Sequence, residues 1–142
     1  GGFESGTRLK ARTLVGADGS RSPSGWWDSE LGTECSWRKA GDGQQRCLPI
    51  ASAASYFSDA TCTQPLVYSA GCTVLPYAQR QDDLCFTENK IYSVGGQTTP
   101  GLLYIKSGAQ CINTAAPAGM FFTVGAEMPP TSFVAATVET ED

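Results

Sequence analysis

The segment CFTENKIYSVGGQTTPGLLYIKSGAQC, residues 85–111, contains the two clearest strand patterns of the chain. KIYSV at 90–94 and LLYIK at 102–106 are rich in β-branched and aromatic residues, which favour strands. The GGQTTPG between them is typical of a turn, because glycine adopts positive φ and proline cannot donate to a strand ladder. The segment therefore predicts one β-hairpin, with Val94 opposite Leu102.

The same register predicts a disulfide at the open end of the hairpin. It places Cys85 opposite Cys111, and opposed residues of antiparallel strands lie within disulfide reach. It also places Lys90 opposite Lys106, an unfavourable pair that Glu88 would partly relieve. We expect a Cys85–Cys111 bridge, and we expect it to contribute more to stability than any other bridge of the chain, since it would close the longest loop.

The cysteines indicate a disulfide framework. The chain has six of them, no histidine and no CxxC pair, a combination that disfavours zinc and thioredoxin-type sites. We expect all six to be oxidised in an oxidising compartment, rather than reduced in a cytosolic core. Six cysteines allow fifteen connectivities, and pairing of neighbours is favoured because each pair encloses a turn signal: Cys35–Cys47, Cys62–Cys72 and Cys85–Cys111.

Composition limits the class of protein. A chain of 142 residues with 41% hydrophobic residues suits one domain, here residues 1–142, with a modest core. The net charge is −4 and neither half is strongly basic, which disfavours nucleic acid as a partner. No apolar run approaches 18 residues, so no membrane-spanning helix is predicted.

Short strands separated by turns account for most of the chain. Turn signals recur every 8 to 12 residues, and no helical periodicity extends beyond three turns. This pattern predicts an all-β fold, an antiparallel meander of short strands and hairpins, which leaves sandwich, barrel and propeller-like architectures open. Besides the hairpin, the predicted strands include residues 7–15, with Arg8, Lys10 and Arg12 on a basic outer face, and residues 73–79, 119–124 and 132–138.

Several phrases occur together in a distinctive order: SGTRLKART at 5–13, GWWDSELGTECSW at 25–37, DGQQRCLP at 42–49, FSDATCTQPL at 57–66 and AEMPPTSFVAATVE at 126–139. In order and spacing they resemble a family of uncharacterised surface lipoproteins and secreted proteins of myxobacteria-like predatory soil bacteria. The resemblance implies export, with a lipid anchor at a cysteine upstream of Gly1. It implies no catalytic residues.

Catalytic and metal sites are disfavoured. Without histidine, Ser-His-Asp and Cys-His systems cannot form within the chain. Pairs of carboxylates such as Asp28 with Glu30 or Glu34, and Asp82 with Asp83, are more typical of solvated turns than of glycoside hydrolysis. Asp82, Asp83 and Glu88 also lack a calcium-loop pattern. We therefore expect no enzymatic activity, no cofactor and no metal.

Aromatic residues are the best candidates for binding. Neighbouring tryptophans on a strand point to opposite faces, so one of Trp26 and Trp27 is expected in the core and the other outside. An exposed ring with polar neighbours could stack on a sugar. The predicted ligand-binding set is Trp26, Trp27, Asp28, Trp37 and Arg38, although the same rings could simply fill a thin core.

These features favour a secreted or cell-surface domain that acts by binding or adhesion to a glycan or a protein surface. Self-association is a second interpretation, in which residues 119–124 and 132–138 would pair across subunits into an extracellular filament. A small inhibitor or toxin-like module is a third. Each is extracellular and non-enzymatic.

Overall fold

Strands dominate the computed structural model, which describes residues 3–71, 73–82, 85 and 87–141. The one helical element in this part of the chain is a 3₁₀ turn at Pro130–Ser132. The strands are β1 (Leu9–Val15), β2 (Arg21–Asp28), β3 (Thr33–Lys39), β4 (Gln45–Pro49), β5 (Ser52–Ala53), β6 (Tyr56–Phe57), β7 (Pro65–Ser69), β8 (Tyr77–Arg80), β9 (Lys90–Thr98), β10 (Leu103–Ser107), β11 (Gln110–Thr114), β12 (Met120–Glu127) and β13 (Ala135–Ala136). The predicted all-β class is confirmed.

The strands form two compact units. The first comprises the chain up to Ile50 together with the residues from Pro130 onward, and the second comprises Ala51–Pro129. Each unit has its own sheet. The interpretation of residues 1–142 as a single domain stays a prediction.

The first unit is a five-stranded antiparallel sheet in the order β1-β2-β3-β4-β13. Its core is built on Leu9, Cys35 and Cys47, with Trp26 and Val134 packed against them. The predicted Cys35–Cys47 disulfide is present, with the Cα atoms 5.2 Å apart. The two cysteines are not directly opposed, because Cys35 lies opposite Pro49 and Cys47 opposite Trp37, so that the bridge runs diagonally between β3 and β4.

The second unit is an open eight-stranded sheet in the order β11-β10-β6-β7-β12-β9-β8-β5. Its pairs are antiparallel except for β5 with β8. Strand β12 contains residues 120–124 of the predicted apolar run at 119–124, and it lies between β7 and β9. The hypothesis that this run pairs across subunits is therefore wrong, since both of its edges are already occupied.

The predicted hairpin between residues 90–94 and 102–106 is wrong in its pairing, although both strands exist. Strand β9 pairs with β8 and β12, and β10 pairs with β11 and β6. The tight turn that β10 uses lies on its other side, where Ser107 faces Gln110 across Gly108, whose φ is +61°. A two-residue loop with glycine at positive φ matches strand twist, so this nearer turn defines the hairpin.

Gly95 lies within β9 instead of in a turn, and it allows β9 and β12 to approach closely. A Cβ atom at Gly95 would lie 2.3 Å from the Thr123 hydroxyl oxygen, and one at Gly125 would lie 2.4 Å from the Ser93 hydroxyl oxygen. Register shifts interrupt the β9–β12 ladder on both sides of Val124. Glycine in a strand interior commonly marks such a bulge or close approach.

The disulfide predictions at 62–72 and 85–111 are wrong. Cys62 bonds Cys111, with the Cα atoms 5.8 Å apart, and Cys85 is a free, exposed thiol. Because β11 pairs with β10, Cys111 lies opposite Lys106 at the edge of the sheet, with its sulfur 3.7 Å from the Asp59 carbonyl oxygen beside Cys62. The expectation of six oxidised cysteines fails at Cys85, and Cys72 lies outside the described residues.

The two bridges should differ in their effect on stability. The Cys62–Cys111 bridge spans 49 residues of sequence and the Cys35–Cys47 bridge spans 12. In the chain-entropy model these loops correspond to about 4 and about 3 kcal/mol. Replacing Cys62 and Cys111 by alanine should therefore lower the midpoint of thermal unfolding more than the same change at Cys35 and Cys47. Calorimetry of both double variants measures this difference, and an equal or reversed order would contradict it.

Candidate functional site

The five predicted ligand-binding residues lie on two neighbouring strands, β2 and β3, but they do not form one surface. Strand alternation separates them. Trp26, Asp28 and Trp37 belong to the face that carries Cys35 and Cys47, whereas Trp27 and Arg38 belong to the opposite face. The sequence places the residues on adjacent strands, and the pleat divides them into two groups.

Trp26 and Trp37 form an aromatic cluster on the core face. The Phe3 ring stacks on Trp26 with centroids 4.9 Å apart, and Trp37 meets Trp26 edge-on at 6.4 Å. Trp26 also packs against the core that contains Leu9 and the Cys35–Cys47 bridge. These rings chiefly close the hydrophobic core, although Trp37 remains 38% exposed.

Asp28 is fully buried and makes all its contacts inside the protein. Its two carboxylate oxygens accept hydrogen bonds from Nε and Nη2 of Arg8, each at 2.9 Å, and the oxygen facing Nε also accepts from the backbone amides of Glu30 and Leu31. Burial raises the pKa of Asp28, but these hydrogen bonds and the positive charge of Arg8 outweigh it and hold the pKa below its ordinary value. The Arg8–Asp28 pair thus joins the start of β1 to the end of β2.

Arg8 corrects the sequence prediction of a basic outer face. It precedes β1, which begins at Leu9, so strand alternation does not fix its direction. Its guanidinium also donates to the Ser132 carbonyl oxygen at 2.7 Å. Only Lys10 and Arg12, both exposed, remain on the outer face that the alternation predicts.

Trp27 lies on the outer face, in the middle of a group of charged side chains. Its cross-strand neighbours are Lys10 on β1 and Glu34 on β3. The guanidinium of Arg12 lies 5.1 Å from the ring centroid, and Arg12 also forms an ion pair with Glu34. We call these four residues, Lys10, Arg12, Trp27 and Glu34, the Trp27 face.

Trp26 and Trp27 are both half-buried, contrary to the expectation that one is buried and the other exposed. They still point to opposite faces. Trp26 is only partly covered because Phe3 over it is itself 48% exposed, and Trp27 is partly covered because Arg12 lies over its ring. Alternation therefore predicts direction correctly, whereas burial depends on what the neighbouring strands supply.

Arg38 shares the outer face with Trp27 but is held by the backbone. Its Nη2 donates to the carbonyl oxygens of Leu48 and Pro49 at 3.1 and 2.7 Å, and its Nε donates to the Ser36 hydroxyl. Burial lowers the pKa of Arg38 from its ordinary value. These bonds position the side chain along β4.

Acidic clusters do not assemble into a metal site in the described part of the chain, where no group of three or more His, Cys, Asp or Glu side chains is placed to hold a cation. Asp82 forms an ion pair with Arg80 at 3.3 Å. Asp83, the other member of the predicted acidic pair, lies outside the described residues.

Lys10, Arg12 and Glu34 are absent from the predicted ligand-binding set, although the structure groups them around Trp27. The alternation of TRLKARTLV at 7–15 does predict Lys10 and Arg12 on an outer face. The sequence pattern could not predict the register between β1 and β2, and it is this register that places that face beside Trp27. A bulge at Arg12/Thr13 shifts this register within the ladder.

A family of unknown function (DUF7481) matches residues 4–140. No curated protein and no solved structure matches the chain. The match thus covers both sheets.

The Arg8–Asp28 pair should be visible in stability measurements. Changing Asp28→Asn leaves Arg8 without its buried partner, and we expect a loss of about 3 kcal/mol at neutral pH, near the lower end of the range for buried pairs because Arg8 is partly exposed. The matched control is Glu30→Gln, since Glu30 also pairs with Arg8 but is exposed, and it should change stability by less than about 1 kcal/mol.

The pH dependence has a definite sign. A carboxyl whose pKa is lowered by folding stabilises the protein above its unfolded pKa of about 3.9, and that stability is lost as the pH falls through the folded pKa. Urea unfolding should therefore show a steeper acid loss in the wild type and in Glu30→Gln than in Asp28→Asn. Equal losses in both variants would contradict this role for Asp28.

Proposed function

We propose that this chain, which belongs to the DUF7481 family of unknown function, is a secreted or cell-surface domain. It binds glycans through the Trp27 face and has no catalytic activity. Two disulfides are compatible with an oxidising, extracellular location. Among the described residues, no helix is long and apolar enough to cross a membrane. Export through a lipidated precursor, which the resemblance to surface lipoproteins implies, remains part of this proposal.

The observation that carries the proposal is the position of Trp27. It lies on β2 with a paired strand on each side, so the backbone beneath the ring is held by hydrogen bonds from β1 and β3. The C–H faces of sugar rings are apolar and suit an aromatic platform, while charged side chains around the platform can bond the hydroxyls. Lys10, Arg12 and Glu34 supply those charges.

Arg12 over the ring does not prevent this use. The side chains of Arg12 and Glu34 are 43% and 45% exposed, and ion pairs that exposed contribute little to stability. A sugar stacking on Trp27 could displace the guanidinium toward the ring edge, where it would remain able to donate to hydroxyls. Before a sugar binds, the cation–π contact keeps the Arg12 guanidinium, a hydrogen-bond donor, close to the Trp27 ring.

Filament assembly is the second candidate, and one observation favours it. Strand β1 is an edge of the first sheet, and its last residues, Leu14 and Val15, are 64% and 59% exposed. An edge strand with exposed apolar side chains can accept another chain. Electron microscopy of the purified protein separates the two candidates, since the glycan-binding proposal requires no polymer.

Glycan binding should depend on Trp27. On a glycan array, the wild type should bind a subset of sugars, and Trp27→Ala should reduce that binding by about tenfold or more, as expected when a ring contact is lost. Trp37→Ala is the matched control, because it removes the same side chain from the opposite face. It should leave binding within about twofold.

Thermal unfolding of both variants shows whether the sheet remains folded. Binding by Trp27→Ala at the wild-type level would contradict the proposal. So would the absence of binding to every glycan by the folded wild type.

A further inference from the structure

A polar cleft lies in the second unit, between the β5–β8 end of the eight-stranded sheet and strands β6 and β10. Strands β5 and β6 stand far apart in the sheet order but are separated by only Ala54 and Ser55 in sequence. The chain therefore brings the β5–β8 pair close to the β6–β10 pair. A cavity of about 450 Å³ lies there, lined by residues of all four strands and of the segments that follow them, among them Ser55, Phe57, Gln79, Arg80, Asp82 and Lys106. This volume lies within the ~300–1,000 Å³ typical of small-molecule sites.

Two cations border the cleft, and each is held by an aromatic ring. The Lys106 ammonium lies 5.3 Å from the centroid of Phe57, and the Arg80 guanidinium carbon lies 5.8 Å from that of Tyr92. Such contacts restrict the side chains without neutralising their charge. The cleft is thus positively charged within a chain whose net charge is −4.

The two cations differ in what they can still bind. Arg80 is already paired with Asp82 at 3.3 Å. No carboxylate among the described residues forms an ion pair with Lys106. One ammonium therefore remains for an anion from outside, and its single positive charge balances the single negative charge of a carboxylate.

Neutral polar groups line the same cleft as this ammonium. The Ser55 hydroxyl and the side-chain amides of Gln79 and Gln81 also line the cleft. The Gln81 amide nitrogen donates to the Asn89 side-chain oxygen at 3.0 Å, which orients the Gln81 amide. Such groups match the hydroxyls of a sugar.

The backbone of Lys106 is also held in place by the fold, although its side chain is exposed. It lies directly opposite Cys111 in the β10–β11 hairpin, and Cys111 is bonded to Cys62. The disulfide therefore anchors the edge hairpin that carries the ammonium. The backbone beneath Lys106 is thus fixed before a ligand binds, and the Phe57 ring limits the motion of the exposed side chain.

We infer that this cleft binds a small carboxylate-bearing polyhydroxyl ligand of the uronic-acid class, with the carboxylate on Lys106. It is separate from the Trp27 face, which lies in the other unit, and either site can exist without the other. The ligand's hydroxyls would meet Ser55, Gln79 and Gln81.

Titration with D-glucuronate and D-galacturonate, followed by amide NMR, tests the inference. At least one uronate should shift the signals of Lys106 and Gln79, with a dissociation constant on the order of 1 mM for a ligand of this size. Glucose and galactose, which lack the carboxylate, should bind about tenfold more weakly or worse. Inorganic phosphate provides the test of anion type, and phosphate binding at Lys106 as tight as that of the uronate would overturn the carboxylate assignment.

Variants of Lys106 test the residue itself. Lys106→Met keeps an aliphatic chain over Phe57 but removes the charge, and it should weaken uronate binding by about tenfold or more. Lys106→Arg, which keeps the positive charge, should bind the uronate within a few-fold of the wild-type affinity. The matched control is Arg21→Gln, which removes one positive charge from an exposed position of β2 in the other unit and should leave the affinity unchanged.

Two further results would overturn the inference. One is unchanged uronate affinity in Lys106→Met. The other is the absence of binding by the folded wild type for both uronates at concentrations well above the expected dissociation constant. Should Lys106→Met fail to fold, loss of binding in Arg21→Gln would likewise count against a specific role for the cleft.

Discussion

The eight-stranded sheet depends on strand β12, which pairs with β7 on one side and β9 on the other. Its side chains alternate between two hydrophobic clusters. Phe121 packs with Leu66 and Leu103, whereas Phe122 and Val124 pack against Val67 and Ala78. Because each face of β12 contacts a hydrophobic cluster, apolar residues occur at both parities of MFFTV at 120–124, although of these only Phe121 is buried and Thr123 is exposed.

Local sequence predicted the strands better than their partners. The pattern of KIYSV and LLYIK indicates two strands correctly, but their pairing with β12 and β11 depends on residues far along the chain. Cys35 and Cys47, whose bridge was predicted, lie on neighbouring strands joined by a short turn. Cys62 and Cys111 are brought together by the pairing of β10 with both β6 and β11, and the β6–β10 pair joins segments far apart in the sequence. Turn chemistry can predict the first kind of contact, whereas the second is set by how the whole sheet packs.

The candidate site divides in the same way. Period-two alternation is a property of the backbone, so the opposite directions of Trp26 and Trp27 follow from sequence alone. The role of Asp28 does not, because its partner Arg8 lies 20 residues away and is brought to it only by the β1–β2 register. An aspartate beside two tryptophans suggested a ligand contact, yet burial together with a bidentate partner makes it a cross-link between strands. The cleft was missed for the same reason: Lys106 and Arg80 acquire a common surface only because the β5–β8 pair lies close to the β6–β10 pair.

The distribution of charge links the two proposed surfaces. The chain has 14 acidic and 10 basic residues, yet both the Trp27 face and the cleft carry more cations than carboxylates. Several acids are occupied by the fold itself. Asp18 accepts from the Ser20 hydroxyl and amide, and Asp59 accepts from the hydroxyls of Thr61 and Thr63 and from nearby amides, which holds the pKa of each carboxyl below its ordinary value.

Asp28 and Asp42 are used in a related way, because each holds an arginine that also bonds a backbone carbonyl. Arg8 donates to Ser132, and the buried Arg46 donates to Phe133, so both pairs fix the segment that leads into β13. The acidic side chains thus hold turns and strand ends, where an oxygen acceptor satisfies backbone donors or a buried guanidinium. Lys106 has no such duty among the described residues, and Arg12 has only an exposed partner. A basic side chain that forms no buried ion pair within the protein is available to a ligand. In a chain with a net negative charge, such a side chain on a surface is therefore a good indication of a binding site for an anion or a sugar.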